Sequence, residues 1–179
     1  MKRIILMVLY NLPFVPYWWW QLCRMAKHPE RYTQEERWKV LQKIVRHANK
    51  GGRVKIEAHG IENIPQEENF IFFPNHQGMF DVLALVESCS RFFAVVNKKE
   101  VRNVPLLKQA FAITGSLSID REDIRQSMGV INQAAQAVRD GVNFLIFPEG
   151  PRSRQETERR NSRAGALKAH IRQNVPLFR

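Results

Sequence analysis

The sequence predicts an α/β fold in which helices flank a mixed, largely parallel sheet, preceded by an N-terminal helical membrane anchor. Two observations predict it. Short apolar runs alternate with segments of helical periodicity along most of the chain. In front of them lies a stretch of twenty residues, 4–23, without a single charge. The length of 179 residues suits one principal domain. We place that domain at 51–179, after an N-terminal membrane-associating segment at 1–50.

The uncharged stretch has the length of a membrane-spanning helix, about 20 residues. It follows Lys2 and Arg3, as the core of a secretory signal would, but it ends in a tryptophan triplet at 18–20 rather than in small residues at a cleavage site. Pro13 and Pro16 interrupt it, which favours a kinked or re-entrant segment. Tryptophan is typical of a membrane–water interface. We therefore predict an anchor, monotopic or spanning, with a buried core helix as the alternative.

A helix with a capping box follows the anchor. Thr33 as N-cap and Glu36 three residues later match the capping-box pattern, and the glycines at 51–52 end the helix. One face is apolar, and the opposite face carries Arg37, Lys39, Lys43, Arg46 and Lys50. A basic amphipathic helix beside an apolar anchor suits a membrane surface. Packing of its apolar face against its own domain is the alternative, and the two are compatible.

The remaining elements follow from hydrophobic periodicity. Predicted strands cover 53–58, 69–73, 92–96, 117–119, 142–147 and the start of another at 175–178. Predicted helices cover 79–86, 105–112, 122–138 and 164–171. The helix at 122–138 is expected to place Ile124, Met128, Ile131, Ala135 and Val138 on one side. Functional residues of such sheets gather where the strands end, at their carboxyl termini.

Composition and charge narrow the classes of function. The chain has 28 Lys and Arg against 17 Asp and Glu, a net charge of +11. Such a surplus favours a partner that carries phosphate or acidic groups: nucleic acid, anionic lipid or an acidic protein. The only two cysteines, Cys23 and Cys89, exclude a disulfide framework and a cysteine-based metal cluster. Reduced thiols suit a cytosol-facing protein.

The first candidate catalytic residues lie where the chain passes from a predicted buried strand into a predicted helix. His76 stands in the turn, and Asp81 follows five residues later. Residues five apart do not share a helix face, but with His76 in the turn the Asp81 carboxylate can reach back to it. A carboxylate on one imidazole nitrogen fixes the tautomer and leaves the other nitrogen free as a base. A structural histidine that caps the helix is the competing interpretation.

Two further strand ends carry arginine. Arg121 follows one predicted strand, and Arg152 follows the next through Glu149 and Gly150. A guanidinium group holds phosphate through two parallel hydrogen bonds, and glycine lets the backbone approach a ligand closely. Each arginine taken alone is more often a surface residue. Together with His76 they offer a base and two phosphate ligands on one rim of a sheet.

Taken in order, four segments resemble the motifs of the glycerolipid acyltransferase family, in particular those of its bacterial 1-acyl-sn-glycerol-3-phosphate acyltransferases. They are Asn75-His76-(four residues)-Asp81, the block 115–121, Phe147-Pro148-Glu149-Gly150-Pro151-Arg152-Ser153, and Val175-Pro176-Leu177. The first and third are specific as a pair, the second is looser and the fourth is short. The resemblance covers about residues 50–177 and identifies 51–179 as an acyltransferase domain.

The resemblance implies a role for each site residue. His76 is expected to deprotonate the acceptor hydroxyl and Asp81 to orient His76, while the hydroxyl attacks an acyl thioester directly. No Gly-x-Ser-x-Gly nucleophile elbow occurs in the sequence. The expected substrate-binding residues are Arg121, Glu149, Gly150 and Arg152, with Lys98 and Lys99 as weaker phosphate ligands and Asn75 and Gly78 beside the base. No cofactor is expected, and no metal site, since His76 and Asp81 lack further ligands at metal spacing.

The implied reaction moves a fatty acyl group from acyl-carrier protein or acyl-coenzyme A to the sn-2 hydroxyl of 1-acylglycerol-3-phosphate. The product is phosphatidic acid, and the expected location is the cytoplasmic face of the cell membrane. Glycerol-3-phosphate or another lysophospholipid stays open as the acceptor. A non-catalytic basic protein that binds membranes is the alternative from another class. A nucleic-acid partner is not expected, because aromatic residues are not interleaved with basic ones as in single-strand binders.

Four features depart from the family pattern. Gly78 stands where serine is common, Pro151 where threonine is usual, and Ser162 where an aromatic residue commonly precedes a basic one. Family members also continue for some tens of residues past the Val-Pro motif, whereas this sequence ends at Arg179. We therefore expect an acyltransferase domain that is incomplete at its C-terminus.

Overall fold

The computed structural model describes residues 2–75, 78, 80–120, 122–147 and 177–178. Its helices are α1 (Lys2–Asn11), α2 (Val15–Lys27), α3 (Gln34–Gly51), α4 (Phe80–Ser88), α5 (Leu107–Thr114) and α6 (Ile124–Arg139). Its strands are β1 (Ile71–Phe72), β2 (Phe93–Lys98), β3 (Leu117–Ile119), β4 (Asn143–Ile146) and β5 (Leu177–Phe178). The predicted α/β class is confirmed, and the helix predicted at 164–171 lies outside the described residues.

The described strands form one sheet in the order β3-β2-β4-β1-β5. Every pairing among them is parallel, so the sheet is more uniform than the mixed one that the sequence predicted. Parallel strands point the same way, and their carboxyl ends therefore share one side of the sheet. We call that side the carboxyl edge. It is the side on which an open α/β sheet binds its ligands.

Helices cover both faces of the sheet, as right-handed crossovers require. The step from β1 to β2 runs in one direction across the sheet and the step from β3 to β4 runs back, so their connecting helices lie on opposite faces. Helix α6 covers one face, where Ile131, Ala134 and Val138 pack on alternate residues of β1, β2 and β4. Helices α3 and α4 cover the other face, where Trp38 and Val86 pack on the intervening ones.

One buried asparagine joins the amino-terminal ends of three strands. Asn143 opens β4, and its side-chain oxygen accepts from the Phe70 N–H at 3.0 Å while its Nδ2 donates to the Phe92 carbonyl at 2.9 Å. Phe70 immediately precedes β1 and Phe92 immediately precedes β2. The side chain is 4% exposed. Because a buried amide needs partners, this residue favours the register in which β4 lies between β1 and β2.

The N-terminal segment is two helices joined by a 3₁₀ turn at Leu12–Phe14, so the predicted interruption at the prolines is confirmed. Helix α2 buries Trp18, Leu22 and Met25, and the last two pack against Ile113 of α5. Much of the remaining apolar surface of α1 and α2 is exposed. Of the helices in the described residues, none combines the length and apolar character that crossing a membrane requires.

The capping box at Thr33 is confirmed, with reciprocal hydrogen bonds between Thr33 and Glu36 at the start of α3. The strand predicted at 53–58 is wrong. Arg53 leaves α3 with φ of 51°, and in the described residues no strand lies beside the segment that follows. Alternating polarity does not make a strand unless a neighbour supplies the ladder hydrogen bonds.

Two helix predictions need smaller corrections. Helix α5 begins at Leu107, two residues after Pro105, because the chain first completes a turn there. On α6 the expected apolar side is displaced. Met128 is exposed, while Val130 and Ala134 are buried with Ile131 and Val138. Packing against the sheet determines which side of α6 is buried, whereas helical spacing alone is compatible with the predicted side and with the observed one.

A glycine permits α1 to approach α3 closely. Gly51 is the last residue of α3, and a Cβ built on it would lie 2.5 Å from Cδ1 of Tyr10 and 2.9 Å from Nδ2 of Asn11. Helix α1 therefore docks against the rest of the protein through a contact that has no room for a methyl group. Gly129 of α6 offers a contrast, because no atom beyond its chain neighbours and the backbone of its own helix lies within 4 Å of the corresponding position.

Replacing Asn143 with alanine is expected to lower the free energy of unfolding by about 2–4 kcal/mol, because two backbone groups lose their side-chain partner inside the protein. Urea denaturation of the full chain measures this. The matched control is Asn103→Ala, an exposed asparagine whose loss should change stability by less than about 0.5 kcal/mol. Equal effects of the two substitutions would contradict the register function of Asn143.

Two glycine-to-alanine substitutions in helices are expected to act in opposite directions. Gly51→Ala should destabilise by about 1–3 kcal/mol through overpacking against Tyr10. Gly129→Ala should stabilise by about 0.5–1 kcal/mol, because alanine is the better helix former and meets no neighbour. Thermal unfolding of both variants beside the wild type measures the signs. Stabilisation by Gly51→Ala would show that α1 does not dock as described.

Candidate functional site

The predicted site residues fall at the carboxyl edge wherever the structure describes them. Asn75 and Gly78 follow β1, Asp81 lies in the first turn of α4, Lys98 ends β2, and Lys99 comes next. Asp120, which was not among the predicted site residues, follows β3. The other predicted site residues lie outside the described residues; they are His76, Arg121, Glu149, Gly150 and Arg152. Because β4 lies between β1 and β2, the chain leaves the sheet at Phe147 between the loops of Asn75 and Lys98.

The Asp81 carboxylate points back at the turn from which α4 starts. Its Oδ2 accepts a hydrogen bond from the Gly78 N–H at 3.0 Å, and the Asp81 N–H donates to the Gly78 carbonyl at 3.3 Å. An acidic side chain in the first turn of a helix takes up a backbone N–H and interacts favourably with the helix dipole. Asp81 therefore reaches back from the helix to Gly78, and its predicted contact with His76 lies outside the described residues and stays a prediction.

Both lysines proposed as phosphate ligands are paired with carboxylates. The Lys98 ammonium lies 2.8 Å from Oε1 of Glu100, and the Lys99 ammonium lies 2.6 Å from Oδ2 of Asp120. The second pair links the ends of β2 and β3. The hydrogen bond from Lys99 lowers the pKa of Asp120, and the same bond raises the pKa of Lys99. Positive charge at this part of the edge is therefore held in place and partly balanced.

The turn between β3 and α6 is held by a network of hydrogen bonds. The Asp120 N–H donates to Oε1 of Gln126 at 2.8 Å, and the Asp120 carbonyl accepts from the Ser127 hydroxyl at 2.7 Å. Asp120 Oδ1 accepts from the Glu122 N–H at 3.1 Å, and Asp123 caps α6 by accepting from the Gln126 N–H. Residues on both sides of position 121 are therefore fixed.

Sequence reasoning missed this supporting network. The spacing Asp123-x-x-Gln126 is a capping signal that would have placed the start of α6 correctly. Nothing in the spacing indicated that Gln126 also donates to the Ser118 carbonyl. That bond depends on the angle at which α6 leaves the sheet. It ties the first turn of α6 to β3 and holds the turn at the carboxyl edge.

A cleft of about 250 Å³ lies beside the start of α4, lined by Arg3, Met7, Val54 and Phe80. It brings α1 next to the turn that contains Gly78, a juxtaposition with no sequence signal. In the part of the chain that the structure describes, no three His, Cys, Asp or Glu side chains gather as metal ligands would.

The family model described as Acyltransferase matches residues 55–178 of the chain. This chain belongs to the acyltransferase family. The family was the one expected from the four ordered motifs, and that expectation is confirmed.

Individual relatives agree with the family match. The chain is 30% identical over 101 residues to the 1-acyl-sn-glycerol-3-phosphate acyltransferase of Borreliella burgdorferi, covering 56% of this chain and 40% of that one. It is 24% identical over 144 residues to 1-acyl-sn-glycerol-3-phosphate acyltransferase alpha of Mus musculus, covering 80% and 50%. The chain thus spans half or less of the length of these relatives.

A solved structure has the same fold. The crystal structure of the 1-acyl-sn-glycerophosphate acyltransferase from Thermotoga maritima matches with a TM-score of 0.74 and 20% identity, over 98% of this chain and 72% of that one. At this identity the likeness establishes the fold. It extends across α1 and α2 as well as the sheet.

The pair of Lys99 and Asp120 is expected to stabilise the protein only in a window of pH. Because the pKa of Asp120 is lowered, its contribution is present above about pH 4, the ordinary aspartate value, and is lost as pH falls through the lower folded pKa. Because the pKa of Lys99 is raised, its contribution is present below about pH 10.4 and is lost as pH rises through the folded value.

The difference in melting temperature between wild type and Asp120→Asn tests this. It should be largest between about pH 5 and 9 and should shrink at both extremes. Asparagine keeps an oxygen to accept from the Glu122 N–H, so the substitution isolates the charge. Glu100→Gln is the control, because its pair with Lys98 joins residues two apart in the chain and should add little. A difference that does not vary with pH would argue against the ion pair.

Proposed function

We propose that this chain transfers a fatty acyl group from an acyl thioester to the free sn-2 hydroxyl of 1-acylglycerol-3-phosphate, giving phosphatidic acid. The observation that carries the proposal is the position of Asp81 within an acyltransferase-family chain. Its carboxylate hydrogen-bonds the turn at Gly78, two residues beyond His76, at the carboxyl edge of a parallel sheet. The relatives' names supply the acceptor.

In the proposed reaction His76 takes the proton from the acceptor hydroxyl as its oxygen attacks the thioester carbonyl carbon. The carbon–sulfur bond breaks, and the proton passes from His76 to the departing thiolate, so an ester and a free thiol result. Asp81 is a positioning residue that orients the imidazole and stabilises its charged form. General-base assistance of this kind contributes roughly 10²–10⁴ in rate.

The acceptor's phosphate is assigned to the basic groups of the carboxyl edge. Arg121 leaves the turn that Asp120 and Glu122 frame, and Arg152 follows β4 through Glu149 and Gly150. The Lys99 ammonium is available to phosphate when phosphate displaces Asp120 from it, since the Lys99 side chain is 48% exposed. Either acyl-carrier protein or acyl-coenzyme A suits the donor role, because both present negative charge to a basic chain.

We further propose that α1 and α2 dock on the cytoplasmic face of the membrane without crossing it. Their large exposed side chains include Ile5, Leu6, Val8, Leu9, Tyr10, Leu12, Phe14, Tyr17, Trp19 and Trp20. An apolar patch of this extent on a water-soluble surface marks an interaction site, and tyrosine and tryptophan suit the interfacial depth. Docking there would bring the cleft beside Phe80, and with it the carboxyl edge, to a lipid acceptor.

Substitution of the base tests the reaction. His76→Ala is expected to reduce acyl transfer to 1-acylglycerol-3-phosphate by 10²-fold or more, measured as phosphatidic acid formed with each thioester donor. Asp81→Asn is expected to lower kcat while leaving the melting temperature nearly unchanged, because asparagine retains an oxygen for the Gly78 N–H.

Wild-type protein that is folded and forms no product with either donor would contradict the proposed reaction. Product formed equally well by the His76→Ala variant would instead contradict the assignment of the base. Replacing the acceptor by glycerol-3-phosphate, or by another lysophospholipid, in the same assay decides among the acceptors that the sequence left open.

Membrane docking is tested by Leu9→Gln, at a side chain that is 62% exposed on α1. A leucine that the bilayer would bury is lost, so the variant should partition onto phosphatidylcholine vesicles roughly tenfold more weakly. Met128→Gln is the control, since Met128 is also exposed but lies on α6, across the sheet. Equal partition of both variants and the wild type would exclude α1 from the docking surface.

A further inference from the structure

The outward side of α3 carries a row of positive charges along most of its length. Between residues 37 and 56 the chain contains seven Lys and Arg and no Asp or Glu. The side chains border a cleft of about 460 Å³ that we call the α3 cleft, lined by Lys39, Gln42, Lys43, Arg46, His47 and Lys50. This cleft lies outside the acyl-transfer site proposed above, and the proposed reaction does not use it.

The charges of the α3 cleft are mostly available to a ligand. Lys39 is paired with Glu35 at 2.6 Å. Among the described residues, no carboxylate lies within 4.0 Å of the charged nitrogens of Lys43, Arg46 or Lys50, and all three side chains are exposed. Three cations on successive turns of one helix repel each other and gain free energy from an anion between them. Phosphate is the anion for which such a mixture of Lys and Arg is suited.

The α3 cleft is joined to the apolar surface of α1 and α2 through His47. Asn11 donates from Nδ2 to the Met7 carbonyl, so its Oδ1 accepts from Nδ1–H of His47 at 2.8 Å. The imidazole is surrounded by the rings of Tyr10, Phe14 and Trp18, whose centroids lie 4.5–5.2 Å away. The imidazole therefore belongs both to the cleft and to the bend between α1 and α2.

Because the α3 cleft adjoins the apolar surface of α1 and α2, lipid phosphates are the ones best placed to reach it. Phe14 is exposed on its outer side, and the exposed apolar residues of α1 and α2 continue from it. If that surface enters a bilayer, cationic side chains beside it lie at the depth of the lipid headgroups, where long Lys and Arg side chains keep their stems on apolar surface and their charges among phosphates. An acidic protein would have to compete with the bilayer for the same position.

We propose that the α3 cleft binds the phosphate groups of anionic phospholipids in the membrane on which α1 and α2 dock. The inference rests on the membrane docking proposed above and adds a lipid preference to it. The apolar side chains supply binding to any bilayer. Lys43, Arg46 and Lys50 supply additional binding to bilayers that carry net negative charge, and they fix the rotation of the docked protein about the α1–α2 surface.

The test compares vesicles of phosphatidylcholine with vesicles of phosphatidylcholine mixed with phosphatidylglycerol, using the full chain in a sedimentation assay. The double variant Lys43→Gln/Arg46→Gln should bind the mixed vesicles roughly 25-fold more weakly, because removal of each cation should weaken binding by about fivefold. Its binding to phosphatidylcholine alone should be unchanged. Glutamine is a good helix former, so α3 is retained, and the melting temperature verifies it.

The control is Arg139→Gln, which removes an exposed cation from the end of α6 on the opposite face of the sheet. It should leave both partitions nearly unchanged. Each single variant, Lys43→Gln and Arg46→Gln, is compared with it so that the net charges match. A loss equal to that of Arg139→Gln would overturn the proposal, because net charge would then explain the binding.

Other outcomes also decide. A wild type that binds both kinds of vesicle equally would overturn the headgroup site while leaving membrane docking intact. A wild type that binds neither would overturn docking and the headgroup site together. Variants that bind mixed vesicles normally but lose transfer from acyl-carrier protein, and not from acyl-coenzyme A, would show that the cleft receives an acidic protein instead. Wild-type binding to the mixed vesicles that weakens as the salt concentration rises supports an interaction with the lipid phosphates, because salt screens exposed charges.

Discussion

The position of β4 between β1 and β2 is the constraint on which the rest of the molecule depends. It is stabilised by parallel pairing on both sides and by Asn143, whose amide binds the backbone just before each neighbouring strand. With this order set, right-handed crossovers send α4 and α6 to opposite faces. The chain then leaves β1 and β4, the strands before two of the family's motifs, side by side, although these strands are more than seventy residues apart in sequence.

The carboxyl edge is built from turns that are each stabilised locally. The turn before α4 is held by Asp81, the turn before α6 by Asp120 and Gln126, and the end of β2 by the pairs of Lys98 and Lys99 with carboxylates. Such local bonds cost little to form and reduce the motion of the side chains beside them.

The N-terminal helices α1 and α2 have one packed apolar surface and one exposed apolar surface. Their inner surface is tightly packed, with Gly51 against Tyr10 and with Leu22 and Met25 against Ile113. Their outer surface leaves Leu9 and Trp20 more than half exposed. Exposed apolar area of this size is unfavourable in water, and the proposed docking on a bilayer removes it. The basic α3 cleft lies beside that surface because His47 packs into the bend between α1 and α2.

Most of the fold could be predicted because its signals are local. Alternating apolar runs predicted β1 to β4 within a few residues, the capping box predicted α3, and the two prolines predicted the break between α1 and α2. The strand at 53–58 was wrong, and Met128 was assigned to the wrong side of α6. In both cases the hydrophobic pattern was present in the sequence. Whether it formed a strand or a buried helix face depended on whether a neighbouring element packed against it.

The sequence by itself determined the family, the order of the motifs and the chemical types at the site, since these are properties of residues along the chain. Only the tertiary structure decided that every described strand is parallel, that Asp81 turns back to Gly78, that Lys99 is paired with Asp120, and that the basic face of α3 adjoins the apolar face of α1 and α2. Each of these depends on distances between residues far apart in sequence. Those distances follow from packing and strand order, which no local periodicity contains.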